Sequence, residues 1–274
     1  LLDAGCSYVS PFGSTGEGPS FSASEKIAAL RGLAEGGFDM GRVIPAAMSV
    51  ALDDTVETVA AAADLACRAV LVVPPYYYGA SDAGIAAGFA ACADRLGGAF
   101  PIDLVLYHIP QLSRAPFTHG LIEELMVRHG ERIAGIKDST GIEIQTLELR
   151  RRFPQLGIFT GDDRVLPALV AAGGAGMIGG MPNVVAADLA RRLRSSEAMR
   201  DPDACRYAAA RIAAVEAEGG IAALKALKAA ICGDPAWRRT MPPLLALDGA
   251  PTTRLVAAFA ATGFDMNPPG VETV

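Results

Sequence analysis

Short apolar runs alternate with longer amphipathic stretches along the first two thirds of the chain. The apolar runs have the length and composition of buried strands, and the stretches between them are long enough for helices. Several helix starts carry cap signals, such as Ser22 with Glu25 three residues later and Asp54 with Glu57. Repeated strand–helix units predict a parallel sheet covered by helices. The predicted strands are 6–10, 42–46, 69–73, 102–107, 133–136, 157–159 and 175–178.

Seven strands in about 180 residues favour an α/β fold of the (β/α)8, or TIM, barrel class over an open sheet. The eighth strand is missing from the pattern. The opening residues 1–5 are typical of the last turn of a helix that ends at a C′ glycine. We therefore expect that the sequence begins after the first strand and most of the first helix.

The strand signals stop at about Arg191. Beyond this point, the apolar spacing predicts three helices over 201–218, 221–231 and 251–261. The sequence thus predicts two parts, a barrel over residues 1–195 and a C-terminal helical extension over 196–274.

The composition is that of a globular protein with a sizeable core, since hydrophobic residues make up 51% of the 274 residues. A net charge of −6 gives no basic face, which argues against nucleic acid as a partner. Five scattered cysteines without a CxxC pair indicate free thiols in a reducing cytoplasm. The sequence has no apolar run near the roughly 20 residues that cross a bilayer, and its start does not resemble a signal peptide. We therefore expect a cytoplasmic protein with no membrane partner.

The candidate catalytic residues are sought where predicted strands end, because active sites of this barrel class lie at the carboxyl ends of the strands. Lys137 comes directly after the apolar segment 133–136. A lysine at such a place loses hydration, which favours the neutral amine that a Schiff-base nucleophile needs. An ion pair with the neighbouring Asp138 is the alternative, in which Lys137 takes no part in chemistry.

Two further segments suit a reaction at Lys137. Gly13-Ser-Thr-Gly-Glu-Gly18 can direct backbone N–H groups and two hydroxyls toward a small anion, and it lacks the Gly-Lys ending of a nucleotide-binding loop. The phenol of Tyr107, in Tyr107-His-Ile-Pro110, can carry protons for a substrate that Lys137 holds.

Other strand ends allow a structural as well as a functional interpretation. The tyrosines of Pro74–Tyr78 are expected to pack, either within the fold or at a subunit interface. In Thr160–Asp163, and in Ile178–Gly180 one strand later, the glycines permit the close approach of a ligand. The paired aspartates can also cap the next helix.

In combination, these segments resemble the dihydrodipicolinate synthase/N-acetylneuraminate lyase family of class I, lysine-dependent aldolases. The most specific parts are Gly13-Ser-Thr-Gly-Glu17, Tyr107-His-Ile-Pro110 and Gly135-Ile-Lys137, in this order and at family-like separations. The resemblance implies a (β/α)8 barrel with a C-terminal helical extension and a homo-oligomer, either a dimer or a tetramer. It implies a lyase that makes or cleaves a carbon–carbon bond between pyruvate and an aldehyde. It also implies no metal and no cofactor beyond the covalent imine.

The resemblance assigns roles to individual residues. Lys137 would form the imine with pyruvate, Tyr107 would shuttle protons, and Ser14 would link Tyr107 to solvent. Tyr77 matches a tyrosine that reaches into a neighbouring subunit's site to complete the relay. The remaining matches are substrate-binding positions: Gly13, Thr15, Gly161, Asp162, Ile178 and Gly179.

Departures from the family pattern bear on the substrate. Leu112 stands where dihydrodipicolinate synthases usually place an arginine for the carboxylate of their aldehyde, and Arg114 is two residues further on. Pro110-Gln-Leu-Ser113 is closer to the sialic-acid lyase version of the loop. The lyase's acidic pair for sugar hydroxyls is matched only in part, because Arg164 follows Asp163. A 2-oxo acid or sugar-acid aldolase is therefore the preferred interpretation, and a 4-hydroxy-tetrahydrodipicolinate synthase acting on aspartate semialdehyde is the alternative.

Two hypotheses of other classes are also open. A regulatory protein could keep a pocket for pyruvate or another 2-oxo acid without turnover, although the retained lysine, tyrosine and serine together argue against this. A metal-dependent barrel aldolase would need protein ligands, and its candidates, His108, His119 and His129, have no ligand-like spacing.

Overall fold

The structure, a computed structural model, describes residues 1–266. Its framework is a sheet of six strands in the order β1 to β6, in which every neighbouring pair is parallel. At least one helix lies between each strand and the next, which confirms the predicted strand–helix repeat. The strands are β1 (Ala46–Ala47), β2 (Val70–Val72), β3 (Leu104–His108), β4 (Ile133–Asp138), β5 (Gly157–Thr160) and β6 (Gly176–Met177).

Helices cover the sheet and make up the C-terminal part of the described chain. The ones that precede or alternate with the strands are α1 (Ala23–Glu35), α2 (Leu52–Asp64), α3 (Asp82–Arg95), α4 (Pro110–Ser113), α5 (His119–His129), α6 (Glu143–Arg152) and α7 (Leu166–Ala171). Those after β6 are α8 (Pro182–Leu193), α9 (Ser196–Arg200), α10 (Pro202–Ala217), α11 (Ile221–Cys232) and α12 (Ala250–Ala260). Within residues 1–266, none of these helices combines the length and the apolar character needed to cross a membrane.

The first predicted strand, 6–10, is reduced to a single bridge. The N–H of Val9 donates to the carbonyl of Arg42, and its carbonyl accepts from the N–H of Ile44, both at 2.9 Å. A parallel ladder would next need the N–H of residue 11, but Pro11 has none. The segment therefore runs beside the chain ahead of β1 without forming a regular strand, and the prediction of a full strand was wrong.

Two other predicted strands are shorter than expected, and the described sheet is not closed. The segment 42–46 is paired as β1 only from residue 46, because a 3-10 turn occupies Met40–Arg42 and Pro45 cannot donate. The segment 175–178 is reduced to β6, the last strand in the order. The six strands thus form an open part of the predicted barrel.

The two faces of the sheet bury different side chains, because successive residues of a strand point to opposite sides. Leu106 and Ile136 belong to the large core between the sheet and its helices. Tyr107 belongs to a second cluster on the opposite face, against which Phe159 packs. Lys137 follows Ile136 in β4, so its side chain lies on the same face as Tyr107.

Side-chain caps mark the starts of several helices, and one predicted cap is not found. Ser22 and Glu25 form the predicted capping box of α1, and the Ser81 hydroxyl accepts from a backbone N–H at the start of α3. Asp54 was predicted to cap α2, and this was wrong. The helix begins at Leu52, so Asp54 lies in its first turn, where a carboxylate favours the helix dipole.

The chain divides into two compact units, Ser7–Ile178 and a second that joins Leu1–Cys6 to the chain from Gly179 onward. In the second unit, α10, α11 and α12 confirm the three predicted helices to within one residue at each end. The predicted boundary at residue 195 stays a prediction. Residues 267–274 of the predicted extension lie outside the described residues.

His108, the last residue of β3, is expected to make the stability of the fold depend on pH. Its Nδ1 accepts a hydrogen bond from the N–H of Phe117 at 3.1 Å, so this nitrogen carries no proton in the folded chain. Burial lowers the pKa of His108, Asp138 opposes the shift and His119 adds to it. Burial and the nearby Arg128 also lower the pKa of His129.

Acidification is expected to destabilise the fold. A histidine has a pKa of about 6.5 in an unfolded chain, and a lower pKa in the folded state means that the unfolded state binds protons first. Stability is therefore present above this pH and is lost as the pH falls below it, by at most about 1.4 kcal/mol per histidine over one pH unit. The measurement is urea unfolding at pH 7.0 and 5.5.

The matched variant is His108→Asn, whose amide oxygen can accept the same hydrogen bond without titrating. We expect its free energy of unfolding to fall less between the two pH values than that of the unchanged chain. An equal fall in both proteins would contradict the assignment to His108.

Candidate active site

The Lys137 side chain is buried on the face of the sheet that carries Tyr107, and its amine lies against the Tyr107 ring. Lys137 is only 6% exposed, and it pairs in register with Tyr107 on β3 and Phe159 on β5. Nζ is 3.9 Å from the centroid of the Tyr107 ring. Strand pairing thus fixes the amine and the phenol side by side near the carboxyl ends of β3 and β4.

The hydroxyl of Tyr107 is hydrogen-bonded to a residue in a loop outside the sheet. It is 3.0 Å from Oγ of Ser14, and either oxygen can be the donor. The structure therefore brings together three of the four predicted catalytic residues in one contact series, Lys137, Tyr107 and Ser14. Their chemical roles stay predictions.

The loop that carries Ser14 is compact and strained. The N–H of Gly18 donates to the carbonyl of Gly13 at 3.0 Å, and Phe12 and Glu17, on either side, have left-handed φ values of 64° and 54°. A side chain at position 18 would collide with the backbone, since a Cβ there would lie 1.7 Å from the carbonyl oxygen of Phe12. Predicted substrate residues Gly13 and Thr15 flank Ser14 in this loop, which suits a small anion.

Asp138 does not form the ion pair with Lys137 that was the alternative to a catalytic role for this lysine. Its buried carboxylate accepts hydrogen bonds from the hydroxyl of Thr146 at 2.5 Å and from the N–H and hydroxyl of Thr140. Since Asp138 follows Lys137 in the strand, its side chain points to the helix side of the sheet. Its hydrogen bonds hold the end of β4 in place. The amine of Lys137 lies on the opposite face of the sheet, the one that also carries Tyr107.

Backbone contact between β4 and β5 requires the glycine at 161. Its N–H donates to the carbonyl of Asp138 at 2.7 Å, and a Cβ at this position would lie 2.2 Å from Oγ of Ser139. The group that comes close to Gly161 is thus Ser139 of the neighbouring loop, whereas the prediction concerned a ligand. A role in holding substrate stays a prediction.

The carboxylate of Asp162 is engaged by its neighbour Arg164. It accepts from the backbone N–H of Arg164 at 2.8 Å, and from Nε and Nη2 of the same residue at 3.0 and 2.7 Å. The N-cap of α7 is Val165, so the expectation that the paired aspartates can cap this helix was wrong. Asp162 instead stabilises the turn and its arginine.

Ile178 and Gly179 were predicted to line the pocket. Ile178 packs against the inner cluster that contains Tyr107, and its N–H donates to the carbonyl of Thr160 at 3.0 Å. Gly179 is the next residue in the chain and the first of the second unit.

Tyr77 lies on the surface rather than with Lys137 and Tyr107. It is 79% exposed, stacks edge-on against Tyr78 and has a left-handed φ of 84°. Tyr76 is the inward member of the group, since its hydroxyl donates to the carbonyl of Met48 and burial raises its pKa. An exposed, strained tyrosine is consistent with contact to another molecule.

The α4 segment adds one residue that sequence reasoning missed. Nε2 of Gln111 donates to the carbonyl of Ser139 at 2.6 Å and so ties the end of β3 to the loop after β4. The signal in the sequence was its position in Pro110–Ser113, directly after the Tyr107–Pro110 motif. Leu112 is 68% exposed, and Arg114 is exposed with a left-handed φ of 52°.

The three histidines do not form a metal centre. In the part of the chain from residue 1 to 266, no group of three or more His, Cys, Asp or Glu side chains could hold a metal ion. His108 binds the N–H of Phe117, and His129 stacks on Phe100. That the reaction uses no metal stays a prediction.

Comparison with known proteins finds similar sequences over most of the chain. A sequence model of the dihydrodipicolinate synthetase family matches residues 1–218. The chain is 36% identical to an uncharacterized DapA-like lyase of Chloroflexus aurantiacus, over 94% of this chain and 86% of the relative. It is 33% identical to a 4-hydroxy-tetrahydrodipicolinate synthase of Cutibacterium acnes, over 61% of this chain and 55% of that protein.

A solved structure supports the fold. The crystal structure of dihydrodipicolinate synthase from Agrobacterium tumefaciens superposes with a TM-score of 0.85 and 28% identity, covering 95% of this chain and 89% of that one. The parallel strand order and this superposition confirm the predicted (β/α)8 class.

Proposed function

This chain belongs to the dihydrodipicolinate synthetase family and is a lyase of the aldolase type, and we propose that it joins pyruvate to an aldehyde, or cleaves the product, through an imine on Lys137. The observation that carries this proposal is the contact series from the Lys137 amine to the Tyr107 ring and on to the Ser14 hydroxyl. It supplies a nucleophile, a proton carrier and a second hydroxyl in hydrogen-bond contact.

Imine formation is the proposed first step. The neutral amine of Lys137 attacks the carbonyl carbon of pyruvate, and a carbon–nitrogen bond forms. The carbonyl oxygen takes up protons and leaves as water, which gives a protonated imine. Tyr107 can supply and recover these protons because its hydroxyl is hydrogen-bonded to Ser14. Thr15 and the backbone N–H groups of its loop are proposed to hold the pyruvate carboxylate.

The carbon–carbon bond is made or broken in the second step. The protonated imine nitrogen accepts electrons, so the methyl group of bound pyruvate can lose a proton and become an enamine. The enamine carbon attacks the aldehyde carbon, and the aldehyde oxygen takes up a proton. Hydrolysis of the imine then frees the product and regenerates the amine, and the reverse order cleaves a 2-oxo acid. We propose that no cofactor beyond this imine takes part.

The acceptor is proposed to be the aldehyde that a sugar acid or another 2-oxo acid releases when it is cleaved. Leu112 supports this, because an exposed leucine on α4 cannot grip the carboxylate of aspartate semialdehyde. The second candidate is a 4-hydroxy-tetrahydrodipicolinate synthase. The identity to the synthase of Cutibacterium acnes favours that candidate.

A homo-oligomer, either a dimer or a tetramer, is proposed as the working form. The exposure of Tyr77 supports this, because its side chain is available to reach the site of a neighbouring copy. We propose the cytoplasm as the compartment, where reduced thiols persist.

An acceptor survey tests the proposed function. Pyruvate consumption is measured with aspartate semialdehyde and with sugar-derived aldehydes, and pyruvate release is measured from 2-keto-3-deoxy sugar acids. We expect turnover with the sugar-derived compounds and little with aspartate semialdehyde, in the presence or absence of a chelator. Efficient use of aspartate semialdehyde would establish the synthase instead. Pyruvate binding without turnover of any compound would favour a regulatory protein.

A further inference from the structure

Gln111 lies at the edge of the sheet where the proposed reaction takes place. It is the second residue of α4, which begins at Pro110, two residues after the end of β3. Ile109, between the strand and the helix, is buried in the same inner cluster as Tyr107. In this barrel class, the segments that follow the carboxyl ends of the strands surround the active site. Gln111 therefore belongs to the segment that adjoins the proposed proton carrier.

The Gln111 side chain reaches the end of the neighbouring strand. Nε2 donates to the carbonyl of Ser139 at 2.6 Å, and the N–H of Ser139 donates to the carbonyl of His108 at 2.9 Å. Ser139 is two residues beyond Lys137. The amide of Gln111 therefore lies between the carboxyl ends of β3 and β4, the two strands that carry the phenol and the amine. An aldehyde that reacts with pyruvate on Lys137 enters from this end of the strands.

The segment that carries Gln111 is held in place. The buried hydroxyl of Ser113 donates to the carbonyl of Ile109 at 3.1 Å and accepts from the N–H of Ala115 at 3.3 Å. The bond to Ser139 restrains the end of the Gln111 side chain as well. A polar group that is restrained before a substrate arrives loses less side-chain entropy when it binds that substrate.

The amide of Gln111 keeps most of its hydrogen-bonding capacity. One N–H bonds to Ser139, and within residues 1–266 the structure shows no other hydrogen bond of this exposed side chain. The second N–H and the carbonyl oxygen can therefore donate to and accept from a hydroxyl group. The amide has no charge, and so it suits an acceptor that carries hydroxyl groups rather than a carboxylate.

We infer that Gln111 is a specificity-determining residue, whose amide binds a hydroxyl group of the acceptor aldehyde. The inference rests on the proposed function and narrows its substrate class to hydroxylated aldehydes. The bond to Ser139 sets the direction of the amide. Loss of this bond therefore weakens the recognition even where an acceptor oxygen is kept.

Acceptors of equal length test the inference with pyruvate as the donor. Glyceraldehyde and propanal have the same carbon chain and differ by two hydroxyl groups. Because aldehydes differ in intrinsic reactivity, the ratio of kcat/KM for glyceraldehyde to that for propanal is compared between each variant and the unchanged chain. In Gln111→Leu, this ratio is expected to fall about 3- to 30-fold, because one or two hydrogen bonds between neutral groups are lost.

The expected loss has a specific form. The rate of imine formation and the KM of pyruvate are expected to change by less than about twofold, because the loss concerns the acceptor alone. Gln155→Leu is the matched control and is expected to behave like the unchanged chain. Gln155 is an exposed glutamine that precedes β5, so it lies at the opposite end of the strands.

Gln111→Glu tests the bond to Ser139. A glutamate has the same shape and keeps an acceptor oxygen, but its carboxylate cannot donate to the Ser139 carbonyl. We expect the ratio to fall as far as it does in Gln111→Leu. The ratio of the unchanged chain in Gln111→Glu would overturn the part given to Ser139.

The inference itself is overturned by a ratio that stays unchanged in Gln111→Leu, whether this variant keeps its activity or loses it equally with both aldehydes. A loss that appears in the KM of pyruvate would overturn it as well. Trapping of the pyruvate imine by borohydride separates this failure from failure of the proposed function. A protein that forms the imine but keeps its ratio in Gln111→Leu loses only the inference, and a protein that forms no imine loses both.

Discussion

Replacing Lys137 by alanine is expected to abolish turnover of pyruvate, with kcat lowered on the order of 10⁴-fold or more, because the group that would form the covalent intermediate is removed. The remaining contacts cannot substitute for it, since neither the phenol of Tyr107 nor the hydroxyl of Ser14 can form an imine. The measurement is steady-state pyruvate consumption with the best acceptor from the survey.

Lys137→Arg separates the chemistry of this position from its packing. An arginine has a side chain of similar length and can occupy the buried space beside the Tyr107 ring, but it does not act as an imine nucleophile. We expect this variant to be as inactive as Lys137→Ala and to unfold at a similar temperature to the unchanged chain. Lys228→Ala, which removes a lysine beside Trp237 in the second unit, is the control and should retain activity. Retained turnover in Lys137→Arg would exclude an imine at this residue.

Replacing Tyr107 by phenylalanine is expected to lower kcat by about 10²- to 10⁴-fold, the range typical of a lost general acid–base group. The ring stays in contact with the Lys137 amine, and only the hydroxyl that reaches Ser14 is lost. Both the rate of adduct formation and the rate of carbon–carbon bond formation should fall, because the phenol is proposed to carry protons in each.

The smaller change Ser14→Ala tests the end of the proposed relay. It removes the partner of the phenol and leaves the phenol in place, so we expect a loss smaller than that of Tyr107→Phe. Tyr207→Phe, in α10, removes a hydroxyl remote in sequence from this relay and is the matched control. Wild-type rates of adduct formation and turnover in Tyr107→Phe would rule out its role as the proton carrier.

The fold class and the centre of the site were accessible from the sequence because both depend on strands. The alternation of apolar runs predicted β2 to β5 to within two residues, and parallel pairing brought Lys137 beside Tyr107. The C-terminal helices were predicted equally well from their apolar spacing. In the structure, Gly233 ends α11 in a left-handed conformation.

The features that the sequence did not reveal depend on loop conformation. The bond between Asp162 and Arg164 requires a turn that brings residue 164 back over residue 162, and side-chain types alone do not specify it. The loss of a full first strand follows from one missing N–H at Pro11, which matters only in the parallel register found here. The contact of Gln111 with Ser139 joins α4 to the loop after β4, two segments that are distant in sequence.

The most direct test of the account is reduction with borohydride in the presence of pyruvate, followed by peptide mapping of the intact chain. The account predicts one pyruvate-derived adduct per chain, on the peptide that contains Lys137, and no adduct in Lys137→Arg. An adduct on Lys26, Lys225 or Lys228 in place of Lys137, or pyruvate binding with no adduct at all, would contradict it.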